Sequence, residues 1–168
     1  LAAEGATVVI ADIPQMEERA SSLLSDTVSF LGADLTDAAA RKQLLETIKE
    51  KHGRIDVLVN NAGMDQHAFF TKTTRAEWQY LLDVNLQAVF ATCYAVLPAM
   101  QKKGFGRIIN IGSEAGRQGS RGGSVYAAAK GGVVAFTKSI ARENGRFGIT
   151  ANVVAPGPVD TPLLRSAV

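Results

Sequence analysis

The sequence predicts an α/β protein with a doubly wound parallel sheet in three layers, α/β/α, and two observations lead to this fold class. Short runs of apolar and β-branched residues, such as residues 7–11 and 55–60, are typical of strands buried on both faces. Helical patterns separate these runs, and strands that alternate with helices form parallel sheets covered on both sides. The chain shows no repeat, low-complexity segment or linker, so we expect one domain over residues 1–168.

The elements follow in order along the chain. Strands are predicted over residues 7–11, 28–31, 55–60, 107–111 and 149–154. Helices are predicted over residues 14–24, 38–51, 74–103 and 125–142. Asp37 and Thr74 are good N-caps for the second and third of these helices, and Gly53 and Gly104 end them.

Composition excludes several classes of protein. Eighteen basic and 16 acidic residues give a net charge of +2, too small to indicate a nucleic acid or an anionic membrane as partner. Apolar stretches are interrupted well before the length that spans a bilayer, so no membrane association is expected. The single cysteine, Cys93, cannot form an internal disulfide, and no signal-peptide pattern opens the chain. A reduced, cytoplasmic setting is therefore expected.

Both ends of the chain resemble interrupted elements. The first five residues read as the last turn of a helix that a glycine ends, and the chain begins with Leu1 rather than methionine. An apolar helical pattern that begins at Thr161 stops at Val168. We therefore expect the sequence to be the middle of a longer protein, truncated at both ends.

Polar and glycine residues gather where the predicted strands end. In an open parallel sheet the ligand crevice lies beyond the carboxyl ends of the strands, so this shared location predicts a binding site. The residues in question are Asp12, Asp34, Asn60, Asn61, Ala62, Gly63, Ser113, Pro156 and Gly157.

Tyr126 and Lys130 are four positions apart in a predicted helix, so they share one face of it. A lysine cation near a phenol favours the phenolate and lowers the tyrosine pKa from about 10, which suits a general acid or base. The hydroxyl of Ser113 could hydrogen-bond a substrate oxygen in the same crevice. Taken alone, a tyrosine and a lysine at this spacing are more often an exposed packing pair.

The ordered set of motifs resembles the short-chain dehydrogenase/reductase family, in its main single-domain branch. The set comprises the run Asn60–Gly63, then Asn85 in the long helix, Ser113, the Tyr126–Lys130 pair and Pro156–Gly157. The resemblance covers nearly the whole chain and implies a Rossmann-like fold. It implies that Tyr126 exchanges a proton with the substrate oxygen and that Lys130 holds the nicotinamide ribose. It also implies that Ser113 orients the substrate and that Asn85 anchors a water on the proton path.

The resemblance further implies a nicotinamide dinucleotide. Asp12 follows the first visible strand, where a carboxylate accepts hydrogen bonds from the adenosine ribose and repels the extra phosphate of NADP, so NAD is favoured. Asp34 and Leu35 would lie beside the adenine, and Thr161 would meet the nicotinamide carboxamide. The other cofactor-binding residues expected are Asn60, Asn61, Ala62, Gly63, Tyr126, Lys130, Pro156 and Gly157. No metal site is expected, because the chain has only two histidines and one cysteine.

One part of the family's pattern is missing from the sequence. The glycine-rich phosphate turn and its strand would lie upstream of Leu1, and that strand would be central, between the strands at 7–11 and 55–60. Its absence would leave a slot with unpaired backbone groups in the sheet. We therefore expect these 168 residues alone to bind NAD poorly or to fold badly.

For the substrate, the chain resembles the 3-oxoacyl-carrier-protein reductases, which implies an oxoacyl thioester and NADPH as an alternative. Three segments also resemble 2-hydroxycyclohexanecarboxyl-CoA dehydrogenases: residues 60–65, 117–120 and 157–161. Arg117 and Arg121 either meet an anionic carrier such as coenzyme A or are solvated loop charges. Two further alternatives are a non-catalytic dinucleotide sensor and a sugar-nucleotide epimerase or dehydratase. Pairing of the long helix and the Tyr126 helix between subunits would give a dimer or homotetramer.

Overall fold

The computed structural model describes residues 1–160, so Thr161 and the helical pattern that follows it lie outside the described residues. The chain divides into two compact units, Leu1–Arg54 and the residues from Ile55 onward. Each unit has its own parallel sheet. That the chain forms a single domain stays a prediction.

The first unit contains a two-stranded parallel sheet. Strand β1 (Val8–Asp12) pairs with β2 (Val28–Gly32) in a register that sets Val8 beside Val28. Between the strands, where one helix over 14–24 was predicted, only α1 (Glu17–Ala20) is α-helical, and 3₁₀ turns flank it at Pro14–Met16 and Ser21–Leu23. The prediction of one continuous helix is therefore wrong. The Ser21 hydroxyl donates to the Glu18 carbonyl at 2.7 Å, an alternative to helical bonding that serine favours.

Helix α2 (Ala38–His52) completes the first unit with the predicted ends. The Asp37 carboxylate accepts from the Ala40 amide at 2.8 Å, and Gly53 ends the helix in the left-handed conformation with φ 76°. Leu44 is buried, as expected for the apolar face of this helix.

The second unit is built on a three-stranded parallel sheet of order β3–β4–β5. The strands are β3 (Val57–Asn60), β4 (Gly106–Ile111) and β5 (Ile149–Val154). The helices are α3 (Arg75–Leu82), α4 (Ala88–Lys103), α5 (Ala115–Gln118) and α6 (Ser124–Asn144). Fully buried Ile108, Cys93 and Val133 place the core of this unit where β4, α4 and α6 meet.

The predicted long helix is continuous over Arg75–Lys103 but is not uniformly α-helical. Thr74 and Glu77 form the capping box that starts it, and a π-helical turn over Asp83–Gln87 interrupts it at Asn85. The side-chain amide of Asn85 donates to the carbonyl of Leu81, one turn earlier in the helix, at 3.0 Å. π-Helical turns inside α-helices are frequent at functional sites, which draws attention to Asn85.

By length and composition alone, the helix Arg75–Lys103 is apolar enough to cross a membrane. A core helix of a globular protein passes the same test, so this is weak evidence for a membrane span. Cys93, Val96 and Met100 on this helix are buried in the second unit, which favours a core helix.

Candidate active site

Lys130 is the most deeply buried charged side chain of the candidate site, with 4% of its surface exposed. Its ammonium donates to the Ile111 carbonyl, at the end of β4, over 2.9 Å. Burial lowers the pKa of Lys130, and the nearby Asp65 carboxylate opposes that shift by favouring the cation. The sheet thus holds a cation at its carboxyl edge, two residues before Ser113.

Tyr126 lies one turn before Lys130 on the same side of α6. The Lys130 nitrogen is 5.8 Å from the centre of the Tyr126 ring, and the ring is half-buried. Within residues 1–160, the Tyr126 hydroxyl makes no hydrogen bond to the protein, whereas its backbone amide is bonded. The hydroxyl is therefore available to a bound molecule.

Gly112 lets the Ser113 segment approach β5, and Gly116 lets it approach α6. A Cβ at Gly112 would lie 2.8 Å from a methyl carbon of Val153, and one at Gly116 would lie 2.7 Å from both the Gly131 nitrogen and the Lys130 carbonyl carbon. No larger residue fits at Gly116 without a backbone shift. Helix α5 therefore crosses α6 backbone to backbone at Lys130, which brings the segment after Ser113 to the lysine.

Asn85 is fully buried and holds the loop that follows β3. Its amide nitrogen donates to the Met64 carbonyl at 2.9 Å, and its oxygen accepts from the Met64 amide at 3.2 Å. A Cβ at Gly63 would lie 3.0 Å from the Asn85 oxygen and 3.3 Å from the Lys130 nitrogen. Gly63, Asn85 and Lys130 thus meet at one point, and a larger residue at position 63 would press on the other two side chains.

The Asn60 side chain makes hydrogen bonds within the protein. Its amide donates to the Asn110 oxygen at 2.8 Å and accepts from the Thr92 hydroxyl at 2.8 Å, and Asn110 in turn donates to the Thr137 hydroxyl at 2.8 Å. We call these four residues the amide cluster. The Asn60 side-chain amide is thus used within the sheet, and a contact between Asn60 and a cofactor stays a prediction.

The remaining predicted cofactor residues of this unit follow two strand ends. Asn61, Ala62 and Gly63 are exposed after β3, and Pro156 and Gly157 follow β5. The Pro156 carbonyl accepts from the amide of Glu114 at 3.1 Å, which ties the exit of β5 to the Ser113 segment.

In the first unit, Asp12 is exposed at the end of β1, where its carboxylate accepts from the Ile13 amide at 2.8 Å. Asp34 follows β2, and its carboxylate accepts from the amide and hydroxyl of Thr36 at 2.8 and 2.7 Å. These bonds lower the pKa of Asp34, so it is ionised at neutral pH. Leu35 is half-buried, and its carbonyl accepts from the side chain of Arg41.

Both loop arginines have protein partners. Arg117 pairs with Glu114 at 3.0 Å, and Arg121 lies 5.4 Å from the centre of the exposed Phe69 ring. The Ala68 amide donates to the Gly122 carbonyl at 3.0 Å and joins the loop after β3 to the loop before α6. Within the described residues, no three acidic, histidine or cysteine side chains form a metal-binding group.

Sequence reasoning missed Gly112 and Gly116. An isolated glycine after a strand predicts only a turn. The residue against which such a glycine packs is distant in the sequence, so the sequence does not show the contact. The pairing of Gly116 with Gly131 across two helices left no local pattern to detect.

The second unit thus brings together a buried lysine and, one helical turn away, a phenol whose hydroxyl makes no hydrogen bond among the described residues. The family model "short chain dehydrogenase" matches residues 1–168, and the chain belongs to that family. Its members are oxidoreductases that bind a nicotinamide dinucleotide and act on CH–OH groups. The predictions of family, fold class and enzyme class are thereby confirmed.

Named relatives agree with this assignment. The chain is 41% identical to a 3-oxoacyl-[acyl-carrier-protein] reductase of Escherichia coli, over 99% of the chain and 68% of the relative. It is 43% identical to the Haemophilus influenzae protein of the same name, over 97% and 68%. A solved short-chain dehydrogenase structure from Streptomyces avermitilis matches with TM-score 0.88 and 30% identity, over 96% of this chain and 61% of that one.

Proposed function

We propose that the protein transfers hydride between a nicotinamide dinucleotide and a secondary alcohol or ketone, with an oxoacyl or hydroxyacyl thioester as substrate. The observation that carries the proposal is the buried Lys130 ammonium, which donates to the Ile111 carbonyl two residues before Ser113. It lies one turn from Tyr126, whose hydroxyl has no hydrogen-bond partner among residues 1–160. The names of the curated relatives, 3-oxoacyl-[acyl-carrier-protein] reductases, support a thioester carried by a protein or by coenzyme A.

Each side chain has a definite task in this reaction. The Tyr126 hydroxyl donates its proton to the substrate oxygen in reduction and accepts it in oxidation. The Lys130 cation stabilises negative charge on the phenol oxygen, and the Ser113 hydroxyl donates a hydrogen bond to the same substrate oxygen. When bound, the dinucleotide supplies or accepts the hydride at its nicotinamide ring.

Asn85 contributes through the loop after β3. By fixing Met64, it holds Gly63 against the Lys130 ammonium. We assign Asn85 this holding role and a water-mediated path for the proton that Tyr126 exchanges.

The residues present fit a dinucleotide. Gly63 leaves open the space that a Cβ would fill beside Asn85 and Lys130, and the exposed backbone of residues 61–63 offers close approach to a ribose or phosphate. Lys130 and Tyr126 would hold the nicotinamide ribose, Pro156 and Gly157 would border the nicotinamide, and Asp34 and Leu35 would lie beside the adenine. Thr161 keeps its proposed contact with the carboxamide.

Asp12 decides the choice between NAD and NADP in this proposal. Its exposed carboxylate at the end of β1 accepts hydrogen bonds from a ribose diol and repels a 2′-phosphate, so NAD is preferred. Asp12→Ser is expected to raise kcat/KM for NADPH relative to NADH by about 10- to 100-fold, because a repelling charge is removed. If Asp12→Ser leaves this ratio of kcat/KM values unchanged, Asp12 does not set the cofactor preference, and NADPH is again the alternative cofactor.

The test of the function uses the protein in its natural full length. It measures NADH and NADPH oxidation against a panel of 3-oxoacyl thioesters and simple ketones, and the reverse reaction with the alcohols. Tyr126→Phe should abolish turnover while dinucleotide binding persists. If the unmodified protein binds dinucleotide without turnover, it is a sensor. If it converts sugar nucleotides with no net change in NAD, the epimerase alternative is correct.

The assembly and setting are proposed on separate grounds. Tyr94 on α4 is 82% exposed, and α6 presents small residues such as Ala128 and Ala135 at its surface, which suits pairing of α4 and α6 between subunits. We propose a homotetramer or dimer, to be measured by sedimentation, and Tyr94→Asp should dissociate it. A buried, unpaired Cys93 suits a reduced cytoplasmic setting.

A further inference from the structure

The first turn of α6 lacks a cap of its own. The N-cap residue is Gly123, which has no side chain to accept from the amides of the second and third helical residues, Val125 and Tyr126. A side chain there would press on Ser120, because a Cβ at Gly123 would lie 3.0 Å from the Ser120 hydroxyl oxygen and 3.2 Å from the Ser120 Cβ. The acceptor comes from elsewhere in the chain.

Gln66, in the loop after β3, supplies that acceptor from 59 and 60 positions away. Its side-chain oxygen accepts from the Val125 amide at 3.0 Å and from the Tyr126 amide at 3.3 Å. Its amide nitrogen donates to the Ala68 carbonyl at 3.3 Å, and only 8% of the residue is exposed. A buried glutamine with both ends of its amide bonded has one fixed orientation.

This cap acts on the part of α6 that carries the phenol. Lys130 lies one turn further along and is anchored independently through the Ile111 carbonyl. Tyr126 stands in the first turn, where helices fray when their amides lack acceptors. The distance between the phenol and the lysine therefore depends on the capping bonds as well as on the helix.

We propose that Gln66 is a positioning residue for Tyr126: it replaces the missing N-cap of α6 and fixes the first turn that carries the phenol. The effect on turnover rests on the proposed function, because it requires Tyr126 to be the acid and base. The capping itself does not depend on that function.

The experiment compares three variants of the full-length protein. Gln66→Met keeps the length of the side chain and removes the acceptor, whereas Gln66→Glu keeps an acceptor and adds a negative charge. Gln43→Met, on the exposed surface of α2, is the matched control. Hydrogen exchange of the Val125 and Tyr126 amides is measured by NMR, together with kcat, KM and the pH dependence of kcat.

Gln66→Met is expected to speed exchange of these two amides about 10-fold, the effect of losing a helix cap. It should lower kcat by about 10-fold because the phenol is displaced, and it should leave the KM for dinucleotide within about twofold because Lys130, which would also hold the ribose, keeps its bond to Ile111. Gln66→Glu should retain amide protection and move the midpoint of the kcat profile to higher pH, because the added carboxylate disfavours the phenolate. Gln43→Met should change none of these quantities.

Unchanged amide exchange in Gln66→Met would overturn the cap. A lower Tm with unaltered kcat and pH profile would overturn the positioning role and leave Gln66 merely structural. If Gln66→Met does not fold, Gln66→Glu decides alone, and an unmoved pH profile counts against the proposal. Absence of turnover in the unmodified protein would refute the proposed function and its catalytic consequence, while amide exchange would still report on the cap.

Discussion

Two groups of buried polar side chains lie in the second unit and differ in how their hydrogen bonds are used. In the amide cluster, Asn60, Thr92, Asn110 and Thr137 bond one another across β3, β4, α4 and α6. In the site of Tyr126 and Lys130, the cation is bonded to one carbonyl, and the Tyr126 hydroxyl makes no hydrogen bond among the described residues. Buried polar side chains that bond one another stabilise a fold. Polar side chains with unused hydrogen-bonding atoms lower its stability, but those atoms are available to bind and react with a substrate.

Substitution of Lys130 is expected to give the largest effect on the difference between the two groups. Lys130→Met should lower kcat by about 10²–10⁴-fold, since the proposed acid and base, Tyr126, loses the cation one helical turn away. The same change should raise the free energy of unfolding by about 1 kcal/mol, because burial of the ammonium costs more than its single bond recovers. Initial rates and urea unfolding measure the two quantities.

Lys138→Met, an exposed lysine on the same helix, is the control and should leave both quantities unchanged. A Lys130→Met variant that retains most of its activity would contradict the site. One that is strongly destabilised would show that Lys130 belongs with the closed, stabilising group.

The amide cluster should respond in the opposite way. Asn110→Leu leaves the Asn60 amide without its best acceptor, so the free energy of unfolding should fall by about 1–3 kcal/mol for each orphaned group. The folded fraction should retain its kcat. Asn60→Leu combined with Asn110→Leu should be less destabilising than the sum of the single changes, because the partners are removed together. Additive losses in urea unfolding would show that the two amides act independently.

What the sequence could predict follows from how local each feature is. The Tyr126–Lys130 pair depends on helical spacing, and the caps at Asp37 and Thr74 depend on local sequence patterns. The sequence therefore predicts both features. The family resemblance implies a cofactor contact for Asn60, but neither the resemblance nor its position at a strand end predicts the partners of its side chain. Its partner Asn110 lies 50 residues away, and no local pattern reveals such a pair.

The contact between α5 and α6 could not be predicted from the sequence either. It depends on Gly116 and Gly131, whose backbones meet although nothing in either segment predicts the other. Gln66 is similar, since a glutamine in a loop gives no sign of the helix that it caps. Long-range contacts of this kind explain why the chemistry was predictable and its supporting residues were not.

The close contact between the backbones of Gly116 and Gly131 can be used to test how precisely the Ser113 segment must be positioned. Gly116→Ala places a methyl group 2.7 Å from the backbone of Gly131, so the free energy of unfolding should fall by about 1–3 kcal/mol and kcat should fall as the Ser113 segment shifts. Gly145→Ala, where a Cβ meets nothing within 4 Å, is the control and should be neutral or slightly stabilising. Equal effects of the two changes would contradict the close crossing.

The smallest expected effect is a difference between the two groups in how the free energy of unfolding depends on pH. Burial raises the pKa of the Cys93 thiol, beside the amide cluster, from 9.0 to about 11, and it lowers the pKa of Lys130 from 10.5. Between about pH 9 and 11 the unfolded thiol loses its proton first, so the stability that Cys93 contributes decreases as pH rises. Below 10.5 the unfolded lysine binds more protons than the folded one, so the contribution of Lys130 increases with pH. Urea unfolding from pH 8 to 11 should therefore decline more steeply in Lys130→Met than in the unmodified protein, and identical slopes would contradict the assignment of Lys130 as a buried cation.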